Sequence, residues 1–77
     1  ENCFLEGAEL TRVNLTGAIL GRINLQFSKL TEVNFTNAIL HGALFTNSEI
    51  RNCTFDNVTL NGARFSGSII ENSSFKN

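Results

Sequence analysis

The sequence predicts an all-β fold in which the backbone winds as a four-sided coil, a quadrilateral β-helix of about four coils of 20 residues. Three observations predict it. A large apolar residue recurs every five positions, a turn-forming residue follows it at a fixed distance, and opposite charges are spaced 20 apart. We expect one domain over residues 1–77, and a segment of a longer chain, because the sequence contains no Met.

The five-residue apolar period excludes both common secondary structures. Every position that is a multiple of five holds Leu, Phe or Ile, fifteen of fifteen from Leu5 to Phe75. Steps of five around a helix turn by about 140° each and would scatter these residues. In a straight strand they would alternate between the two faces, because five is odd. Only a backbone that turns once per five residues keeps all of them on one side.

The residues that make the turns stand two positions after each large residue. Twelve of the sixteen positions in this column, from Asn2 to Asn77, are Gly or Asn. Both residues tolerate the positive φ that a type II turn requires. The repeat therefore predicts a polygonal coil with one turn at each corner.

The charged residues indicate how many sides the polygon has. Residues one coil apart stack at about 4.8 Å, where opposite charges stabilise and like charges destabilise. Separations of 15 and 25 include the repulsive pairs Asp56–Glu71 and Arg51–Lys76. All five charged pairs at a separation of 20 are opposite in sign: Glu9–Lys29, Lys29–Glu49, Arg12–Glu32, Arg51–Glu71 and Asp56–Lys76. Four repeats per coil are favoured.

The unit resembles the pentapeptide repeat, which is usually written Ala-(Asp/Asn)-Leu-x-x. Val13–Gly17 and Val33–Asn37 are close copies, and the resemblance covers the whole chain. It implies a right-handed quadrilateral β-helix, a hand that the rule for parallel crossovers also favours. It further implies a protein-interaction scaffold without catalytic activity.

Stacking at 20 residues predicts which side chains share the interior. Columns of small residues should let opposite walls approach, and buried Ser hydroxyls in them should donate to backbone carbonyls. One such small column is Ala8, Ser28, Ser48 and Ser68. The four columns of large residues are Leu5-Leu25-Phe45-Phe65, Leu10-Leu30-Ile50-Ile70, Leu15-Phe35-Phe55-Phe75 and Leu20-Leu40-Leu60.

The sequence offers no catalytic constellation. His41 is the only histidine, and its position just after an interior Leu directs it outward. Cys3 and Cys53 should point inward among apolar neighbours, which makes their thiols inert. Both should remain reduced, because their axial offset of roughly 12 Å is too large for a disulfide. Glu9 and Glu49 share a wall, but Lys29 stands between them. We expect no enzyme activity, no cofactor and no metal site, and the reduced cysteines favour a cytoplasmic location.

A candidate partner-binding patch follows from the outward positions that are apolar. Gly21 and Gly42 should screen it little, and contiguous exposed apolar residues mark interaction sites. The patch consists of Phe4 and Leu44 on the first wall with Ile19 and Ile39 on the fourth. We expect a protein partner and no small-molecule substrate. The net charge of only -1 argues against direct nucleic-acid binding, and apolar runs of no more than three residues argue against membrane insertion.

Two alternative functions and two modes of self-association remain open. The resemblance also implies a DNA-mimicking topoisomerase (gyrase) inhibitor or protection protein, although such rods are markedly acidic and usually dimerise through a C-terminal module. A repeat domain of a bacterial secreted effector, delivered into host cells, is the other alternative. Because the repeat runs through both ends of the sequence, we expect association end to end or through the patch. The apolar end residues are Leu5, Leu10, Ile70 and Phe75.

Overall fold

The computed structural model describes residues 5–76. Its regular strands are β1 (Glu9–Thr11), β2 (Lys29–Thr31), β3 (Glu49–Arg51) and β4 (Ile69–Glu71). They form one parallel sheet in the order β1-β2-β3-β4. Within residues 5–76 no helix is long and apolar enough to cross a bilayer. The predicted all-β architecture is confirmed.

The strand register shows the length of one coil. Leu10 lies opposite Leu30, and Leu30 lies opposite Ile50, so strand partners are 20 residues apart. The other walls pair through single parallel bridges with the same spacing, such as Asn14 with Asn34. Four pentamers therefore complete each coil, as the charge spacing predicted. We number the walls by their columns of large residues: the columns that begin at Leu5, Leu10, Leu15 and Leu20 belong to the first, second, third and fourth walls. Each corner has the number of the wall that precedes it.

The corners have the positive φ that the Gly/Asn column predicted. All fourteen described turn positions, from Gly7 to Asn72, have a φ between 52° and 77°. Several corners are closed by a backbone hydrogen bond across the turn, such as Ala38 N–H to the Phe35 carbonyl at 2.8 Å. Four corner residues are neither Gly nor Asn: Arg12, Arg22, Phe27 and Glu32. The coil thus imposes this backbone conformation on residues that disfavour it.

The best-packed interior lies in the middle coils. Leu30, Leu40 and Phe45 are fully buried, whereas Ile70 and Phe75 are 41% and 45% exposed. The Phe-rich columns stack within a wall and meet edge to face across the interior. The Phe45 and Phe65 rings are parallel at 4.8 Å, and the Phe45 and Phe55 rings lie edge to face at 5.9 Å.

The buried hydroxyls are satisfied as predicted. Ser28 Oγ donates to the Leu25 carbonyl at 2.6 Å. Ser48 Oγ lies 2.8 Å from the same carbonyl and 2.7 Å from that of Phe45. Each of these buried hydroxyls therefore has a hydrogen-bond partner, a backbone carbonyl of its own coil or of the preceding one.

Candidate functional site: an apolar patch at the fourth corner

The structure brings three predicted patch residues around one corner. Ile19 pairs with Ile39 on the fourth wall, and Leu44 lies on the first wall, beyond the fourth corner. Ile19 is 78% exposed, the highest value among the large apolar residues described, while Ile39 and Leu44 are partly exposed. Phe4 lies outside the described residues. We call Ile19, Ile39 and Leu44 the corner patch.

Polar residues bound the corner patch along the rod axis. Thr59 pairs with Ile39 in the next coil, and Leu44 pairs with Asn24 on one side and Arg64 on the other. These pairings fix the backbone on both walls with main-chain hydrogen bonds, such as Leu44 N–H to the Ile23 carbonyl at 2.9 Å. The patch is therefore held by a hydrogen-bonded backbone.

The corner beside the patch is less bare than its glycines suggested. A Cβ placed on Gly42 would lie 3.1 Å from Cγ of Arg22, so the Arg22 stem occupies that space. Gly21, by contrast, has nothing within 4 Å of its Cβ position. The expectation of little screening needs correction at Gly42, because the missing side chain makes room for a long side chain from the preceding coil.

The charges of the described residues are unevenly distributed around the coil. Arg22 lies in the fourth corner and Arg64 on the first wall, with His41 between these two walls. The described carboxylates occupy positions outside the first wall, the fourth wall and the fourth corner: Glu6, Glu9, Glu32, Glu49, Asp56 and Glu71. The patch surface is therefore cationic and apolar, in a chain of net charge -1.

Ion pairs are concentrated at the opposite side of the coil. In the part of the chain that the structure describes, the pairs are Arg12–Glu32 at 3.8 Å, Arg51–Glu49 at 2.6 Å and Arg51–Glu71 at 2.9 Å. The hydrogen bond that Arg51 donates to Glu49, followed by the one it donates to Glu71, raises the pKa of Arg51. Arg22 and Arg64 take part in none of these pairs within residues 5–76.

The five predicted charge pairs are only partly formed. Lys29 lies in register with Glu9 and Glu49, but Glu49 bonds to Arg51 of its own coil. Asp56 Oδ1 accepts hydrogen bonds from Ser74 Oγ at 2.5 Å and from the Lys76 backbone N–H at 3.0 Å. These bonds, the one from Ser74 first, lower the pKa of Asp56. The 20-residue register of the charged residues was predicted correctly. Which of them form ion pairs depends on how far each side chain reaches.

His41 and Cys53 have the environments that were expected. His41 is exposed. Cys53 is a free, buried thiol whose pKa is raised by burial, and its Sγ lies 3.5 Å from the Leu30 carbonyl. Cys3 is outside the described part of the chain. Residues 5–76 contain no cavity and no group of three His, Cys, Asp or Glu side chains placed to hold a metal ion.

Comparison with protein families identifies the repeat. A family model for pentapeptide repeats matches eight copies, over residues 1–26, 8–47 and 38–77. The chain belongs to the pentapeptide-repeat family, as its sequence pattern predicted. A search of curated protein sequences gives no match.

Solved structures similar to this chain are also pentapeptide-repeat proteins. One from the thylakoid lumen of Arabidopsis thaliana is 26% identical with a TM-score of 0.64, covering 94% of this chain and 61% of its own. HetL, involved in heterocyst differentiation regulation in the cyanobacterium Nostoc, is 25% identical with a TM-score of 0.49, covering 92% and 35%. Rfr23 from the cyanobacterium Cyanothece is 19% identical with a TM-score of 0.40, covering 95% and 88%. This chain thus spans 61% of the length of the first structure and 35% of the length of the second. The family match and the similarity to the Arabidopsis structure confirm the right-handed β-helix.

Proposed function

We propose that this repeat domain is a non-catalytic scaffold that binds a protein partner through the corner patch. The observation that carries the proposal is the column of the exposed Ile19 and the partly exposed Ile39, which continues around the fourth corner to the partly exposed Leu44. Elsewhere in the described residues the outward positions of these two walls are polar or charged: Asn24, Thr59 and Arg64.

The energetic case for a partner rests on burial at a preorganised surface. Covering a fully exposed aliphatic side chain stabilises a complex by about 1.5–3 kcal/mol, so burial of Ile19 contributes most and burial of the partly exposed Ile39 and Leu44 contributes less. Ile19, Ile39 and Leu44 are fixed on paired backbone, so binding requires little ordering of the wall itself. Aliphatic residues at the centre of a polar rim match the arrangement of protein interfaces.

The mixed charge of the rod disfavours the DNA-mimic alternative. A DNA mimic needs a continuous acidic surface, because a duplex carries one negative charge per about 1.7 Å of its axis. Here Arg12 and Arg51 stand among the carboxylates of the second wall and corner, and Arg22 and Arg64 lie on the patch side. Protection of purified gyrase from a quinolone in a supercoiling assay would support that alternative over the scaffold.

Site-specific cross-linking tests the scaffold. A photoreactive amino acid is placed at Ile19 or Ile39, and at Ile69 as a control, in cells that naturally make the protein. Ile69 is a matched position, because it is an exposed isoleucine on the second wall. Adducts to one protein from the patch positions alone are expected, and that purified protein should bind wild type but bind Ile19→Thr/Ile39→Thr at least about tenfold more weakly. Equal adducts from Ile69, or unchanged binding by the double variant, would contradict the proposal.

A further inference from the structure

From the charges around the corner patch, we propose that its occupant is an acidic protein segment that carries apolar side chains. The inference rests on the proposed function and names the chemistry of the partner. Ile19, Ile39 and Leu44 supply the apolar contact, while Arg22 and Arg64 supply two cationic groups at the same surface. A partner with carboxylates beside its apolar residues complements both features.

The position of the Arg22 side chain suits contact with an acidic segment. Its stem lies over Gly42, with Cγ 3.1 Å from the Cβ position of that glycine. This directs the side chain along the corner, between the wall that carries Ile39 and the wall that carries Leu44. The backbone of Arg22 has a φ of 56°, which costs free energy for a residue other than Gly or Asn. Asn, which occupies many of the other corners, would give a more stable fold at this position.

Among the described residues the two arginines of the patch surface form no ion pair, unlike the arginines of the second wall and corner. Arg12 and Arg51 are occupied by carboxylates of this chain, whereas Arg22 and Arg64 are absent from the ion pairs formed within residues 5–76. Arg64 pairs through its backbone with Leu44, so a basic and an apolar residue occupy neighbouring positions along the rod. Guanidinium groups bind carboxylates with two parallel hydrogen bonds.

An anionic membrane is less suited to this surface than an acidic protein segment. Lipid-binding patches gather about four to eight Lys or Arg residues and use aromatic side chains at the interface. The patch has two arginines among the described residues, and the whole chain has no Trp or Tyr.

Peptide binding measured by fluorescence anisotropy tests the inference. The probes are three short labelled peptides in which leucine alternates with glutamate, with lysine or with serine. We expect the glutamate peptide to bind at least about tenfold more tightly than the other two at low salt, and its affinity to fall as salt rises. Vesicles containing phosphatidylserine serve as the membrane probe in sedimentation.

Matched variants locate the binding site and separate charge from apolar contact. Arg22→Asn should weaken glutamate-peptide binding at least about tenfold, as should Ile39→Thr. Arg12→Asn should leave it unchanged, since Arg12 occupies an equivalent corner position but is paired with Glu32. Ile69→Thr is the corresponding control for Ile39→Thr. Thermal unfolding of each variant verifies that it is folded.

Any other result of the peptide, vesicle and variant measurements would argue against an acidic protein segment as the occupant. Tighter binding of the lysine or serine peptide, no binding of any peptide, or equal losses in Arg12→Asn and Arg22→Asn would overturn the inference. Vesicle binding lost in Arg22→Asn would assign the patch to a membrane, and self-association lost in Ile39→Thr would assign it to a second copy. The cross-linking experiment stays separate: patch-specific protein adducts without glutamate-peptide binding would keep the scaffold and reject the acidic partner.

Discussion

The ring of Phe55 lies parallel to the ring of Phe35, with centroids 4.7 Å apart and planes inclined by 14°. Phe75 stacks on its other side, also at 4.7 Å. Because Phe55 is the central ring of this column, Phe55→Ala should lower the free energy of unfolding by about 3–5 kcal/mol. Phe55→Leu should cost less, since Leu15 begins the same column. Chemical denaturation checks both, and a loss no larger than that of Phe75→Ala would contradict central stacking.

Leu40 offers a second test of the interior columns. It is fully buried between Leu20 and Leu60, which are only partly buried. Leu40→Ala should cost about 2–5 kcal/mol, because a rod supported by coils on both sides cannot easily close the cavity. Thermal unfolding measures this cost, with Leu5→Ala at the exposed end as a control. A melting temperature close to that of wild type would place Leu40 outside the core.

The corner residue Phe27 should be replaceable with a gain in stability. It has a φ of 60° and is 58% exposed, so it carries the cost of a left-handed backbone with little burial in return. Phe27→Asn should raise the free energy of unfolding by about 1 kcal/mol. The reverse change at an equivalent corner, Asn37→Phe, should lower it by about the same amount. Equal effects of the same sign would refute backbone strain as the cause.

Asp56 predicts a specific dependence of stability on pH. Its pKa is lowered in the folded protein by hydrogen bonds from Ser74 and from the Lys76 N–H. A lowered pKa stabilises the folded state above the ordinary aspartate pKa, and this contribution is lost as pH falls through the folded value. Urea unfolding should therefore show the largest difference between wild type and Asp56→Asn near neutral pH, shrinking in acid. In an NMR titration, Ser74→Ala should raise the pKa of Asp56; an unchanged value would contradict the assigned cause.

The fold was predictable because each signal in the sequence is periodic. The apolar residue at every fifth position and the Gly/Asn residue two positions later together fit only a backbone that turns once per five residues. The opposite charges spaced 20 residues apart then indicate that each coil has four sides. The buried Ser28 and Ser48 followed from the same stacking. The predicted patch residues Ile19, Ile39 and Leu44 also came together around one corner for this reason, and their role in binding stays a prediction.

Features that depend on side-chain reach were not predictable. The sequence placed Lys29 beside Glu49 in the neighbouring coil. Only the structure shows that Glu49 instead forms its ion pair with Arg51 of its own coil. The position of the Arg22 stem depends on empty space over Gly42, one coil away. Positive φ at Phe27 opposes its local preference. It is imposed by the coil, through bonds such as Phe27 N–H to the Thr46 carbonyl at 3.1 Å.

End-to-end association likewise stays a prediction. Leu5 is 38% exposed at one end of the described coils, and Ile70 and Phe75 are exposed at the other. These surfaces and the corner patch lie on different sides of the rod. Sedimentation of the isolated chain and of Ile39→Thr therefore separates association through the ends from association through the patch.

Chemical-shift mapping with the glutamate–leucine peptide tests most directly where this protein binds. Backbone amide signals of wild type are followed during the titration and assigned to the four walls. We predict that the perturbed amides cluster in residues 19–24, 39–44 and 59–64, around the fourth corner, and that Arg22→Asn weakens the perturbation. Perturbations centred on the second wall, around Glu9, Lys29, Glu49 and Ile69, or confined to the two ends, would contradict a binding site at the corner patch.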